Sequence, residues 1–219
     1  MKVEIYSDIS CPWCYIGEKR FAAALADYPG GAVDVVFRPY QLDPAASTSP
    51  RPLVEALREK FGANVQPMLA RVTDAAREEG ITIHWDRAVA VNTLTAHRLL
   101  QFALRDYGAD IQRTLAEQLF DAHFTSGGDV GDVALLTELA ASAGMDRERT
   151  RKYLDSVEGL AETRDAIDDA RGLGIRAVPT FVFDEKYMVE GGQPSAVFAE
   201  VLREVAKLTA ANEQGTVTA

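Results

Sequence analysis

Cys11-Pro12-Trp13-Cys14 holds the only two cysteines of the chain, placed directly after a strand-like run at residues 3–8 and at the start of a helical pattern. Two cysteines dropped at random into 219 positions would show this spacing on the order of one time in a hundred. On a helix the pair shares one face, one turn apart. The first helical N–H groups then converge on the Cys11 sulfur and stabilise its thiolate. That makes Cys11 the nucleophile and Cys14 the resolving thiol of a redox dithiol. One competing reading is half of a zinc site, completed by two of His84, His97 and His123; no pair of these has finger-like spacing, so no metal is expected. The other is a pair of inert buried cysteines.

Outward from this motif, residues 13–28 set Ile16, Phe21, Ala24, Leu25 and Tyr28 on a helical stripe, and residues 33–40 return to strand composition. Residues 43–52 are too rich in Pro, Ser and Ala to be regular and read as a boundary. From residue 53 to about 171 the period is helical, punctuated by Gly80, Gly108, Gly127-Gly128 and Gly144, with one short extended piece at residues 81–85. Strand character resumes at residues 177–183. A turn at Asp184-Glu185-Lys186 leads to residues 187–190, and Pro194 opens a last amphipathic helix through Leu208. The remainder, residues 209–219, has few large apolar side chains and is expected to fray.

The result is β-α-β at the start, β-β-α at the finish and an all-helical block between. A single sheet drawing strands from both ends predicts an α/β domain of residues 1–45 and 172–219, carrying residues 46–171 as a helical insertion.

A hydrophobic content of 47% is enough for a sizeable core. The net charge of −10, from 23 Lys and Arg against 33 Asp and Glu, argues against nucleic acid or an anionic membrane surface as partner. No apolar run has the length of a membrane span, and Met1-Lys2-Val3-Glu4-Ile5-Tyr6 enters a strand with no signal-peptide core before it. A cytoplasmic location is therefore expected, where a lone CxxC reads as catalytic or redox-sensing rather than as a structural disulfide. Nothing implies a tightly bound cofactor, and both monomer and homodimer are compatible with the sequence.

A strand, a CxxC on the following helix and a distant Val178-Pro179 just before a hairpin together resemble the thioredoxin fold with a helical insertion, as in the DsbA family. Ser7-Asp8 ahead of Cys11-Pro12-Trp13-Cys14-Tyr15-Ile16-Gly17, then Phe37-Arg38-Pro39-Tyr40, Asn92-Thr93 with Ala96-His97-Arg98, and Val178-Pro179-Thr180-Phe181 are similar to the FrnE-like branch of that family. The resemblance spans nearly the whole chain except the tail. It implies a thiol-disulfide oxidoreductase with a redox-active Cys11–Cys14 disulfide, tuned by Pro12 and Trp13. Its substrates would be protein or small-molecule disulfides and dithiols, with glutathione as a possible thiol partner. It further implies a cis peptide between Val178 and Pro179 against the dithiol, leaving the Val178 backbone to pair with an extended substrate. The alternative is an ordinary trans proline opening an edge strand.

The chain departs from such relatives at three places. Ile5 stands where many keep a buried acid as a proton relay, Trp13 where strongly oxidising relatives have histidine, and Ala177 where many have glycine. Asp8 is the nearest substitute for the acid, or else a cap at the strand end. His97, about one turn into a helix that starts at Asn92-Thr93, is either a satisfied structural histidine or a cleft residue steering substrate or proton. Reduction, oxidation and isomerisation all remain open, although the absent histidine favours a less oxidising pair.

Two rivals use the same scaffold. Kappa-class glutathione transferases and 2-hydroxychromene-2-carboxylate isomerases insert a similar lobe but usually carry serine at the position of Cys11. A redox-sensing, peptide-binding or chaperone-like module would use the cleft and leave the dithiol as a sensor.

Overall fold

The structure is a computed structural model that describes the backbone of residues 1–216 and the side chains of residues 1–211. The chain runs β1 (Lys2–Ser7), α1 (Pro12–Ala26), β2 (Asp34–Pro39), β3 (Arg51–Pro52), α2 (Leu53–Phe61), α3 (Val65–Glu78), β4 (Val89–Ala90), α4 (Leu94–Tyr107) and α5 (Ala109–Asp121). A short π-helical turn at Ala122–Ser126 leads to α6 (Val133–Ser142), α7 (Arg147–Leu154), α8 (Leu160–Gly172), β5 (Thr180–Phe183), β6 (Tyr187–Glu190) and α9 (Ser195–Thr216).

The main sheet has the order β2-β1-β5-β6, so both ends of the chain contribute to it as expected. β1 lies parallel to β2, with Ile5 opposite Phe37, and antiparallel to β5, with Ile5 opposite Phe181. Alternation along β1 explains its two-sided burial. Val3 and Ile5 point to the main core with Phe181 and Phe183, and Tyr6 points to the other face with Tyr40, Ala170 and Ile175. On the first face Phe21 of α1, Phe198 of α9 and Phe181 meet at ring-centroid distances of 4.5–5.5 Å, inside the range for favourable aromatic pairs. This locks α1 onto the sheet and fixes where the cysteines lie. The same core continues into the helical block through Leu99, Phe102, Leu115, Leu119 and Phe124.

β2 is an edge strand, and a buried glutamine completes it. Gln112 Oε1 accepts from Phe37 N at 2.9 Å, while Gln112 Nε2 donates to Phe37 O at 2.9 Å and to Leu100 O at 3.2 Å. One side chain thus supplies both bonds that a further strand would make to Phe37. Arg98, likewise buried, donates to Leu154 O and Ser156 O, both at 2.7 Å, and so closes the C-terminal end of α7.

Three details differ from the sequence reading. Residues 43–52 are not wholly irregular, because Arg51–Pro52 pairs antiparallel with Val89–Ala90. Residues 81–85 join no sheet; Ile81 and Ile83 are buried there and His84 N donates to Phe124 O at 2.8 Å. The last helix continues past Leu208 to Thr216, and residues 217–219 lie outside the described residues. Among the described residues no helix is long and apolar enough to cross a membrane.

Candidate active site

Cys11 is the N-cap residue of α1, with Pro12 in the first helical turn, where its missing N–H and fixed φ suit the helix. Cys14 follows one turn later, and Cys14 N donates to Cys11 O at 3.0 Å. Both cysteines are free thiols, Cys11 6% and Cys14 1% exposed. Cys11 is thus the more accessible of the two. Its Sγ lies 3.7 Å from the carbonyl oxygen of Val178, next to the cis Val178–Pro179 peptide. It does not accept from the first-turn amides, contrary to the sequence expectation. A thiol is a donor and turns to a carbonyl; only a thiolate has reason to face the amides. Burial pushes the Cys14 thiol well above its ordinary value and the hydrogen bond and charge of Cys11 add to this, while Asp8 acts both ways, its backbone bond lowering the thiol and its charge raising it.

Close approach of α1 to two loops holds this geometry. A Cβ on Gly17 would come within 3.0 Å of both Gly192 Cα and Pro179 Cγ, and one on Gly192 within 3.0 Å of Trp13 O. Glycine at both positions is what lets the proline loop meet the cysteine helix. Trp13 is half-buried with the Arg71 guanidinium 5.9 Å from its ring, a cation–π contact across to α3.

Asp8 and His97 come together behind the dithiol, each 1% exposed. His97 Nε2 lies 3.4 Å from Asp8 Oδ1; the same carboxylate accepts Ser10 N at 3.2 Å and Leu42 N at 2.8 Å, and Asp8 O accepts Cys11 N at 3.0 Å. Burial alone would raise the Asp8 carboxyl. The hydrogen bond and charge of His97, with the Leu42 and Ser10 amides, outweigh burial and hold it below its ordinary value. The Asp8 carboxylate thus ties the turn into α1 to the chain beyond β2 through the Ser10 and Leu42 amides. His97 is buried and paired rather than lining an open cleft.

Two buried ionisable groups were not among the expected site residues. Glu18, four residues after Cys14 on the buried stripe of α1, is pushed up to about 7 by burial and by the charge of Glu117. Its Oε2 has no partner among the described residues. His123, in the π turn, is fully buried with neither ring nitrogen bonded among the described residues, and burial pulls it down to about 4. The sequence signal for Glu18 was its i+4 position from Cys14; His123 had none beyond its type.

These two groups oppose each other in pH. Native Glu18 keeps a proton that the unfolded chain releases, so its stabilisation is full below 4.5 and lost as pH rises through about 7. Native His123 refuses a proton that the unfolded chain takes, so its contribution is full above 6.5 and lost as pH falls through about 4. Glu18→Gln is accordingly expected to raise stability near pH 8 by about 2–3 kcal/mol and to change little near pH 4. Urea midpoints at both pH values check this; equal gains at the two would contradict it.

A strand that ends in a loop delivering CxxC to the first turn of a helix, against a cis-proline loop held by the same sheet, defines a thioredoxin-fold dithiol protein. The chain belongs to the DSBA-like thioredoxin domain family, whose profile matches residues 2–203, a family of thiol-disulfide oxidoreductases. It is 34% identical to a probable DsbA oxidoreductase from Streptomyces coelicolor of known crystal structure, with a TM-score of 0.84 over 93% of this chain and 89% of that one. YwbO, an uncharacterised protein of Bacillus subtilis, is 26% identical over 209 residues, 94% of this chain and 97% of its own. The fold is shared with the cytosolic disulfide reductase DsbM from Pseudomonas aeruginosa, solved with glutathione. That match is 20% identical with a TM-score of 0.66, over 94% of this chain and 100% of the other.

Proposed function

We propose that this chain catalyses thiol-disulfide exchange with Cys11 as nucleophile and Cys14 as resolving thiol. The observation that carries the reading is the placement of the Cys11 sulfur at the N-cap of α1, 3.7 Å from the Val178 carbonyl, with a less exposed Cys14 one turn behind it. Cys11 thiolate attacks a substrate disulfide and one half leaves as thiolate. Cys14 then attacks the Cys11 sulfur, the second half leaves, and Cys11–Cys14 is the new disulfide. The oxidising direction is the same path reversed.

Val178, joined to Pro179 by the cis peptide beside the Cys11 sulfur, offers backbone for an extended disulfide substrate to lie along. The DsbM structure with glutathione supports glutathione as a thiol partner, and we place the protein in a reducing, cytoplasmic setting, consistent with its single CxxC. We divide the chain into a thioredoxin-like domain of residues 1–45 and 172–219 and a helical insertion of residues 46–171, consistent with a sheet built from both ends.

The test is equilibration in a glutathione redox series, with the thiols of Cys11 and Cys14 trapped by alkylation and counted by mass spectrometry. A reversible two-electron transition is expected. Thiols that pair in no buffer would remove the exchange mechanism.

A further inference from the structure

Arg20, on the same helix as the cysteines, joins three parts of the molecule that the sequence separates, and its side chain is only 12% exposed. Its Nη1 donates to Gly192 O at 2.8 Å, its Nε to Glu79 Oε1 at 2.6 Å, and its Nη2 lies 3.4 Å from Glu78 Oε2. Gly192 belongs to the loop between β6 and α9, and the two glutamates stand at the C-terminal end of α3 in the helical block. Exposed ion pairs contribute little, but this guanidinium is largely covered and its bond to the Gly192 carbonyl is charge-assisted. Among the described residues no other side chain from outside residues 190–194 bonds to that loop.

The loop that Arg20 holds carries the proline loop in turn. Gly191 N donates to Pro179 O at 2.7 Å, with Gly191 at a φ of +80°, a left-handed conformation that suits glycine. Gly192 lies so close to α1 that a Cβ there would be 3.3 Å from Gly17 Cα and 3.0 Å from Trp13 O. One residue before Pro179, the Val178 carbonyl faces the Cys11 sulfur at 3.7 Å. Arg20, Gly192, Gly191, Pro179 and Val178 therefore form one path from α3 to the nucleophile.

We infer that Arg20 is a positioning residue for extended substrates: by holding Gly192 it fixes the Val178–Pro179 backbone in register with Cys11, so that a peptide disulfide can pair along it. This rests on the exchange reading above and adds a substrate class, disulfides carried on extended polypeptide. Backbone pairing is directional and weakens steeply once donor and acceptor are misaligned. Attack on a small disulfide that has no backbone to dock needs only access to the Cys11 sulfur. Arg20 acts through the loop and not on the sulfur itself.

The experiment is single turnover of the reduced protein, as wild type, Arg20→Met and Arg20→Lys, against a glutathionylated extended peptide and against hydroxyethyl disulfide. In both reactions the substrate S–S bond breaks and its two halves leave as thiols. Two electrons and two protons come from Cys11 and Cys14, which end as the protein disulfide. Acid quench, alkylation and mass spectrometry count the remaining thiols against time and substrate concentration, and thermal melts show which variants are folded. Lysine is included because it keeps a donor toward Gly192 O, where methionine keeps none. The peptide concentration for half-maximal rate is expected to rise about tenfold in Arg20→Met and about threefold in Arg20→Lys, with the maximal rate within about twofold of wild type. With hydroxyethyl disulfide both variants are expected within about twofold of wild type.

Peptide and small disulfide slowed alike overturn the inference, because that would make Arg20 a support of the fold or of the dithiol. An unchanged peptide dependence in the folded variants overturns it as well, and so does a loss confined to the maximal rate. A wild-type dithiol that neither disulfide oxidises removes the exchange reading itself, a separate outcome.

Discussion

With Cys14 replaced by serine, the protein is expected to stall as a mixed disulfide between Cys11 and half of its substrate, and steady-state turnover is expected to fall at least about a hundredfold. The structure makes the asymmetry physical. Cys11 sits at the mouth of the helix, 6% exposed and beside the Val178 carbonyl, whereas Cys14 is 1% exposed and its thiol is raised by burial. Attack from outside therefore reaches Cys11, and Cys14 enters only as the intramolecular nucleophile that breaks the mixed bond. In Cys11→Ser neither step is available, and turnover is expected to vanish.

Mixing each variant with a glutathionylated peptide and weighing the intact protein checks both expectations. Cys14→Ser gains the mass of one thiol adduct on Cys11, and Cys11→Ser gains none. Adduct on Cys14 alone would reverse the assignment. Glutathione-dependent turnover that survives Cys14→Ser at the parental rate would instead favour the transferase and isomerase chemistry of the same scaffold.

The dithiol was legible in the sequence because its signal is local. A CxxC between strand and helix needs no tertiary information to be placed at an N-cap, and the strand formers of residues 3–8 were sufficient to read β1 as a strand. Asp8 was legible only as a position. That it is ionised depends on Leu42, beyond β2, and on His97 in α4, far away in sequence. Glu18 and His123 were missed for a related reason. A glutamate on a helix reads as solvated until the neighbouring helix covers it, and a histidine in a helical block reads as ordinary until it is fully enclosed. The two-residue ladder between Arg51–Pro52 and Val89–Ala90 is too short to leave a period at all. Direction of exchange is harder still. Dithiols of this fold range over about 150 mV, roughly 7 kcal/mol, and a few buried charges are enough to move a protein along that range.

Gln112→Leu is expected to lower stability by about 3–5 kcal/mol and the melting temperature by about 10 °C, among the largest effects of any single change outside the cysteines. Polar and flanked by Ile111 and Leu115, Gln112 falls on the apolar stripe of α5 and is fully buried. Leucine fills about the same volume, so the change removes bonds rather than packing. Three bonds are lost. Among the described residues no other side chain accepts from Phe37 N, and Phe37 O keeps the longer contact from Gln101 Nε2 at 3.4 Å. A buried amide stripped of its acceptor costs about 1–3 kcal/mol, more than a typical bond contributes when it forms. The damage extends toward the site, because the strand leads through Tyr40, whose amide bonds Ser7 O, to Leu42, whose amide holds Asp8. Amide exchange separates this mechanism from general loosening: Phe37 should lose protection far more than Val3 or Phe181, which sit deeper in the sheet. A melting temperature within about 2 °C of wild type, with Phe37 still protected, would mean that β2 holds its edge without the glutamine.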